Sequence, residues 1–168
     1  MKRLACALVL AGLATTAQAD VVAAAPDHYV LRHEATSSLA PAAMWQRLVH
    51  PETWWSPDHS YSGDAANLAL APVAGGLWTE TWDGGSVAHG QVLTVLEGEL
   101  LRLDAPFGPL QALGVTVVWT ITIAPDGDGS KVTFDEVANG TAASGLADLA
   151  PAVDAVKAQA MARLTHTD

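Results

Sequence analysis

The chain has 168 residues, half of them hydrophobic, and carries 18 acidic against eight basic side chains for a formal charge of −10. A field of that sign repels phosphate backbones and anionic headgroups, which argues against nucleic acid and peripheral membrane partners. The acids are scattered with no run of five or more, the pattern of a solubilising surface and not of an acidic tail.

Residues 1–19 read as an export signal. Lys2 and Arg3 form a basic start, Leu4 to Leu13 is an apolar run too short to span a bilayer, and Ala17-Gln18-Ala19 supplies small residues for cleavage before Asp20. Arg3 stands where a lipobox before Cys6 needs an apolar residue. Cleavage leaves 149 residues, enough for one domain with its own core, and six basic side chains against 18 acidic ones. Cys6 is the one cysteine, so the expected mature protein has no disulfide and no thiolate ligand. The expected location is the periplasm or the medium, with no membrane insertion once the signal is gone.

Residues 20–27 are Ala/Val-rich and read as a flexible lead-in to a domain over 28–166. His28 to Ser37 alternates as a strand, with Tyr29, Leu31 and Ala35 on one face. Leu39 to His50 reads as a helix with Pro41 in its first turn and Pro51 ending it, and Glu52 to Ser56 as a further short turn. Asp58 to Ala66 is a loop. Strands then follow at short intervals: Asn67 to Ala71, Gly76 to Asp83, Ser86 to Glu97, Glu99 to Ala105, Val115 to Ala124 and Lys131 to Ala138. Gly84-Gly85 and Asp126 to Gly129 mark hairpin turns, and Pro106 to Leu113 is a longer connection. Past Gly140 the period becomes helical: Leu149, Val153, Val156, Ala160 and Leu164 share one face, and Pro151 sets the expected helix at Ala150 to Arg163.

This order predicts an α+β domain, an antiparallel meander whose buried face is covered by the terminal helix. A curved sheet around one helix leaves a hollow between the two, the natural place for a ligand.

On the strand from Gly76, alternation groups Trp78, Glu80 and Trp82. With the two indoles inward, Glu80 sits desolvated in the hollow with a raised pKa, ready for acid–base work; otherwise it is a rim carboxylate paired with a nearby base. Taking Gly84-Gly85 as the turn centre, Glu80 faces His89 across the hairpin, and Val87, Gln91 and Leu93 share the His89 face. That pair is either a proton-transfer unit or an ordinary cross-strand contact. Glu136, in phase with Val132 and Phe134, is a second inward carboxylate, with Asp135 outward. His59 and Tyr61 fall in the loop where a cavity mouth is expected. Six tryptophans need partners for their N–H groups if all are buried, so Trp54, Trp78, Trp82 and Trp119 join Glu80, His89 and Glu136 as candidate ligand contacts. No metal site is expected from six scattered histidines, and no cofactor-binding motif is present.

Ala40-Pro41-Ala42-Ala43-Met44-Trp45 opening the first helix, His50-Pro51-Glu52-Thr53-Trp54-Trp55 closing it, Gly75-Gly76 before a strand and the helix from Leu149 to Leu164 together resemble the START-like superfamily. That superfamily is also called SRPBCC, helix-grip or birch-pollen-allergen-like. The likeness spans about Tyr29 to Leu164 and is nearest to bacterial members related to polyketide cyclases and to the activator of the heat-shock-90 ATPase. It implies a helix-grip of about seven strands around the C-terminal helix, two short helices after the first strand, and a cavity for an apolar molecule. Three functions are weighed on this basis: a carrier or sensor of a small hydrophobic ligand in the cell envelope, a cyclase- or aromatase-like enzyme using Glu80 and His89, and an interaction module exposing Asp58 to Gly63. Export counts against a cytosolic co-chaperone. A protein partner is not specified by the sequence.

Overall fold

The computed structural model describes residues 18–167, with side chains from Val21 onward. The expected export signal, up to residue 17, lies outside the described residues. Eight antiparallel strands form one sheet: β1 (Gln18–Ala25), β2 (His28–Ser37), β3 (Leu68–Leu70), β4 (Leu77–Trp82), β5 (Gly85–Leu96), β6 (Leu100–Asp104), β7 (Thr116–Asp126) and β8 (Gly129–Asn139). Their spatial order is β1-β2-β8-β7-β6-β5-β4-β3. From β3 onward the chain meanders back across the sheet until β8 closes against β2, so Leu31 meets Glu136 and His33 meets Phe134. The helices are α1 (Pro41–Leu48), the one-turn α2 (Pro109–Ala112) and the 20-residue α3 (Leu146–Thr165).

Two expectations are corrected. Residues 20–27 do not form a loose lead-in: β1 pairs with β2 from Gln18↔Glu34 to Ala25↔His28 and adds an edge strand to the sheet. The Val/Ala run that offers no turn chemistry is suited to a strand, and the pairing supplies its backbone with partners. The terminal helix also starts a turn early, at Leu146, after Gly145 in the left-handed region (φ +64). Pro151 is carried inside α3 on an exposed face, where its missing N–H forgoes one intrahelical bond.

The inward face of β2 and β8 is built by alternation: Tyr29, Leu31 and His33 on one, Val132, Phe134, Glu136 and Ala138 on the other, all buried. Arg32 and Asp135 lie on the opposite face and pair at 2.8 Å. Helix α3 packs over β1, β2 and the neighbouring part of β8. The Arg47 guanidinium of α1 donates to the carbonyls of Leu164 and Arg163, and Arg163 donates to that of Trp54. These bonds tie the C-terminus of α3 to α1 and to the segment that follows it, and they satisfy carbonyls that a helix end leaves free. The other half of the concave face is covered by aromatic side chains. Trp54, Trp55, Trp78, Trp119, Phe107 and Phe134 meet mostly edge-on or tilted, with Trp78 stacked on Trp119, and contacting ring centroids lie 4.9 to 6.2 Å apart.

Candidate functional site

Between α3 and the sheet lies a cavity of about 410 Å³, within the range of small-molecule sites. Helix α3 contributes Leu149, Ala152, Val153, Val156 and Lys157 to one wall. The segment Ala105 to Leu110 forms a second wall, and Trp55 with His59, Ser60 and Tyr61 forms the rim. His89 and Glu136 reach it from the sheet. Tyr61 is half exposed, which places this loop at the mouth.

The β4–β5 hairpin positions His89 in a register shifted from the expected one. The turn is centred on Asp83-Gly84, with Gly84 at φ +84, so Trp82 pairs with Gly85 and Glu80 with Val87. A bulge between Trp78 and Thr79 then leaves His89 as the extra residue on β5. An extra residue turns the strand's facing pattern over. His89, two residues on from the Val87 that pairs with Glu80, points inward diagonally beside Glu80 (2.9 Å, Nε2 to Oε2), and past the bulge Gly90 and Val92 are buried while Gln91 and Leu93 are exposed. The Glu80–His89 contact is present, but between diagonal neighbours and not facing positions. A second bulge, between Val92 and Thr94, bends β5 again.

Glu80 is fully buried and accepts three bonds: from the backbone N–H groups of Tyr61 and Ser62, and from His89. Desolvation pushes its pKa up, but the Ser62, Tyr61 and His89 hydrogen bonds outweigh that and hold the carboxyl below its ordinary value. This corrects the expected raised pKa. Glu80 pins the mouth loop to the sheet. Burial draws the His89 pKa below its ordinary value against the upward pull of Glu80, so the imidazole exposed to the cavity is held toward its neutral form.

The second polar group was not found from the sequence. Lys157 is 2% exposed, and its Nζ lies 2.7 Å from Glu136 Oε2 in a buried ion pair. The ammonium sits 3.2 Å from the Trp119 ring centroid and 4.8 Å from that of Phe107. Burial lowers its pKa, opposed by the Glu136 carboxylate. The other oxygen of Glu136 accepts from the Tyr29 hydroxyl at 2.6 Å, and burial together with that carboxylate drives the Tyr29 pKa strongly upward. A third pair, buried His33 with partly exposed Asp154 at 2.9 Å, joins β2 to α3. Among the described residues no group of three or more metal-ligating side chains is clustered.

No family model and no curated protein sequence matches this chain. Solved structures do. A Rhizobium leguminosarum protein superposes with a TM-score of 0.60 at 15% identity, over 83% of this chain and 93% of that one. The Aha1 dimer of Colwellia psychrerythraea gives 0.58 at 13% identity, over 81% and 92%. CalU16 of Micromonospora echinospora gives 0.58 at 12%, over 90% and 82%. The fold is a helix-grip. At these identities the likeness is one of architecture alone.

Within this helix-grip the candidate contacts separate by their place relative to the cavity. His89 and Glu136 line the cavity, whereas Trp54, Trp78 and Trp119 are fully buried and form the packed layer behind it. Trp82 lies over Gly85 and stacks on Tyr61 at 6.5 Å, outside the lining. Trp54 and Trp55 donate their indole N–H groups to the Leu48 and His59 carbonyls, and the Trp119 N–H is buried without a partner. Trp55, unlike Trp54, reaches the cavity.

Proposed function

We propose that this protein binds a small hydrophobic molecule, lipid-like or aromatic, in the hollow between the sheet and α3, and that it does so in the cell envelope after export. Membership of the START-like superfamily is part of the same reading. One observation carries it: an apolar cavity of about 410 Å³ that holds only a few polar groups, His89, Glu136 and Lys157 among them. A pocket of that make-up gains affinity from excluding water and orientation from its few polar atoms. The pattern of the first 19 residues supports the location.

Acid–base catalysis by Glu80 and His89, the cyclase-like alternative, finds less support. Glu80 is spent on three hydrogen bonds, has a lowered pKa and is absent from the cavity lining, so no unengaged acid–base pair faces a ligand.

The test uses the neutral dye N-phenyl-1-naphthylamine, whose fluorescence rises on leaving water. Saturable binding at one site is expected, lost in Val153→Trp, whose indole fills the cavity from the half-buried inner side of α3, with the thermal midpoint retained. Absence of saturable binding, or binding that survives the filled cavity, refutes the proposal.

A further inference from the structure

The cavity contains an ionic group whose hydrogen-bonding capacity is only partly spent. Lys157 carries three N–H donors, and beyond the Glu136 carboxylate at 2.7 Å its buried Nζ has no acceptor although it lines an open space. One side of the ammonium is occupied by the Trp119 ring and another by Glu136. A lysine at this position departs from what α3 otherwise needs. Leu146, Ala150, Ala160, Met161 and Leu164 are the other buried residues of the helix, and Lys157 falls in register with them. An apolar side chain there would spare the domain the desolvation of an ammonium and a carboxylate.

We infer that Lys157 is a ligand-recognition residue and that the ligand is an uncharged aromatic or alicyclic molecule carrying a carbonyl oxygen, which accepts a hydrogen bond from Nζ. This rests on the cavity being a binding site and names the class of its occupant. Three classes compete, and the charges decide among them. A plain hydrocarbon seals the donors that do not face Glu136 away from water with no acceptor, at a desolvation cost. A carboxylate brings a second anion beside Glu136, leaving two carboxylates to one ammonium in a desolvated space. A neutral carbonyl oxygen supplies the missing acceptor and leaves the existing one-to-one balance of Lys157 and Glu136 intact. The apolar surfaces of Leu149, Val153, Val156 and Trp55 fit the remainder of such a molecule.

The experiment measures displacement of the naphthylamine dye by three probes of matched shape: 2-acetylnaphthalene, 2-ethylnaphthalene and 2-naphthoate. The ketone is expected to bind at least about fivefold more tightly than the hydrocarbon, the carboxylate more weakly than both, since a hydrogen bond to a charged donor outweighs a neutral one. Lys157→Met should erase the preference for the ketone while the hydrocarbon still binds. Because that variant strands Glu136, the double variant Lys157→Met with Glu136→Gln is measured beside it and should show the same loss of preference. If the hydrocarbon binds and the ketone has no advantage, if the carboxylate binds best, or if the preference survives in the double variant, this inference is overturned and the binding function stands. If none of the three displaces the bound dye, this inference is overturned and the binding function stands; if no dye binds, both are overturned.

Discussion

Glu80→Gln is the most direct probe of the mouth loop. The carboxylate accepts from two backbone N–H groups, Tyr61 at 3.0 Å and Ser62, and from His89 at 2.9 Å. Glutamine keeps one acceptor oxygen and presents an NH₂ group to the remaining donors, so at least one buried donor loses its partner. An unsatisfied buried donor costs about 1–3 kcal/mol, and loss of charge from the surviving bonds adds about 1. The expected destabilisation is about 2–4 kcal/mol, or about 5–15 °C in melting temperature for a domain of this size, read by circular dichroism at pH 7. The pH dependence has a definite sign. A carboxyl whose folded pKa lies below its unfolded value of about 4.5 stabilises the fold above that pH, and its contribution is lost as pH falls through the folded pKa. The gap between wild type and Glu80→Gln should therefore be full at pH 7 and narrow below about pH 4.5. A gap that is absent at pH 7, or that stays constant to pH 3, refutes the account of Glu80 as a loop anchor.

Gly90→Ala tests the bulge. A Cβ there would meet the Asp104 carbonyl oxygen at 2.8 Å and Ala105 Cβ at 2.9 Å, contacts to backbone and to a short side chain that cannot turn aside. A loss of about 1–3 kcal/mol is expected in urea unfolding, and an unchanged midpoint would contradict the close packing. Export is checked by N-terminal sequencing of protein recovered from outside the cytoplasm, which should begin at Asp20; recovery of the intact chain in the cytoplasm alone would count against it.

The strand order and the terminal helix were legible because apolar alternation and glycine punctuation persist through β4 to β8. The Glu80–His89 contact was legible too, although the register behind it was not. Asp83-Gly84 is the stronger turn signal, and Gly90 inside a strand marks a bulge; read together they give the observed pairing. Where Gly84-Gly85 is taken as the centre and β5 as regular, Gln91 and Leu93 fall on the wrong face. Lys157 was readable in principle, since it stands four residues before Met161 and seven before Leu164, both buried. A helix stripe drawn through Val153 and Val156 passes beside it. The Tyr29–Glu136–Lys157 contact joins three elements distant in sequence, and no local pattern announces it.

The aromatic layer behind the cavity has a consequence for how such a site changes over time. Trp78 and Trp119 are almost wholly inaccessible, and each abuts Trp55 and Phe107, so altering either disturbs several neighbours at once. Leu149, Ala152 and Val153 on the opposite wall retain solvent-facing surface and have no comparable set of ring contacts. The two walls thus differ in tolerance: one is a fixed template, and the other is where exchanging single side chains resizes the site without unsettling the domain.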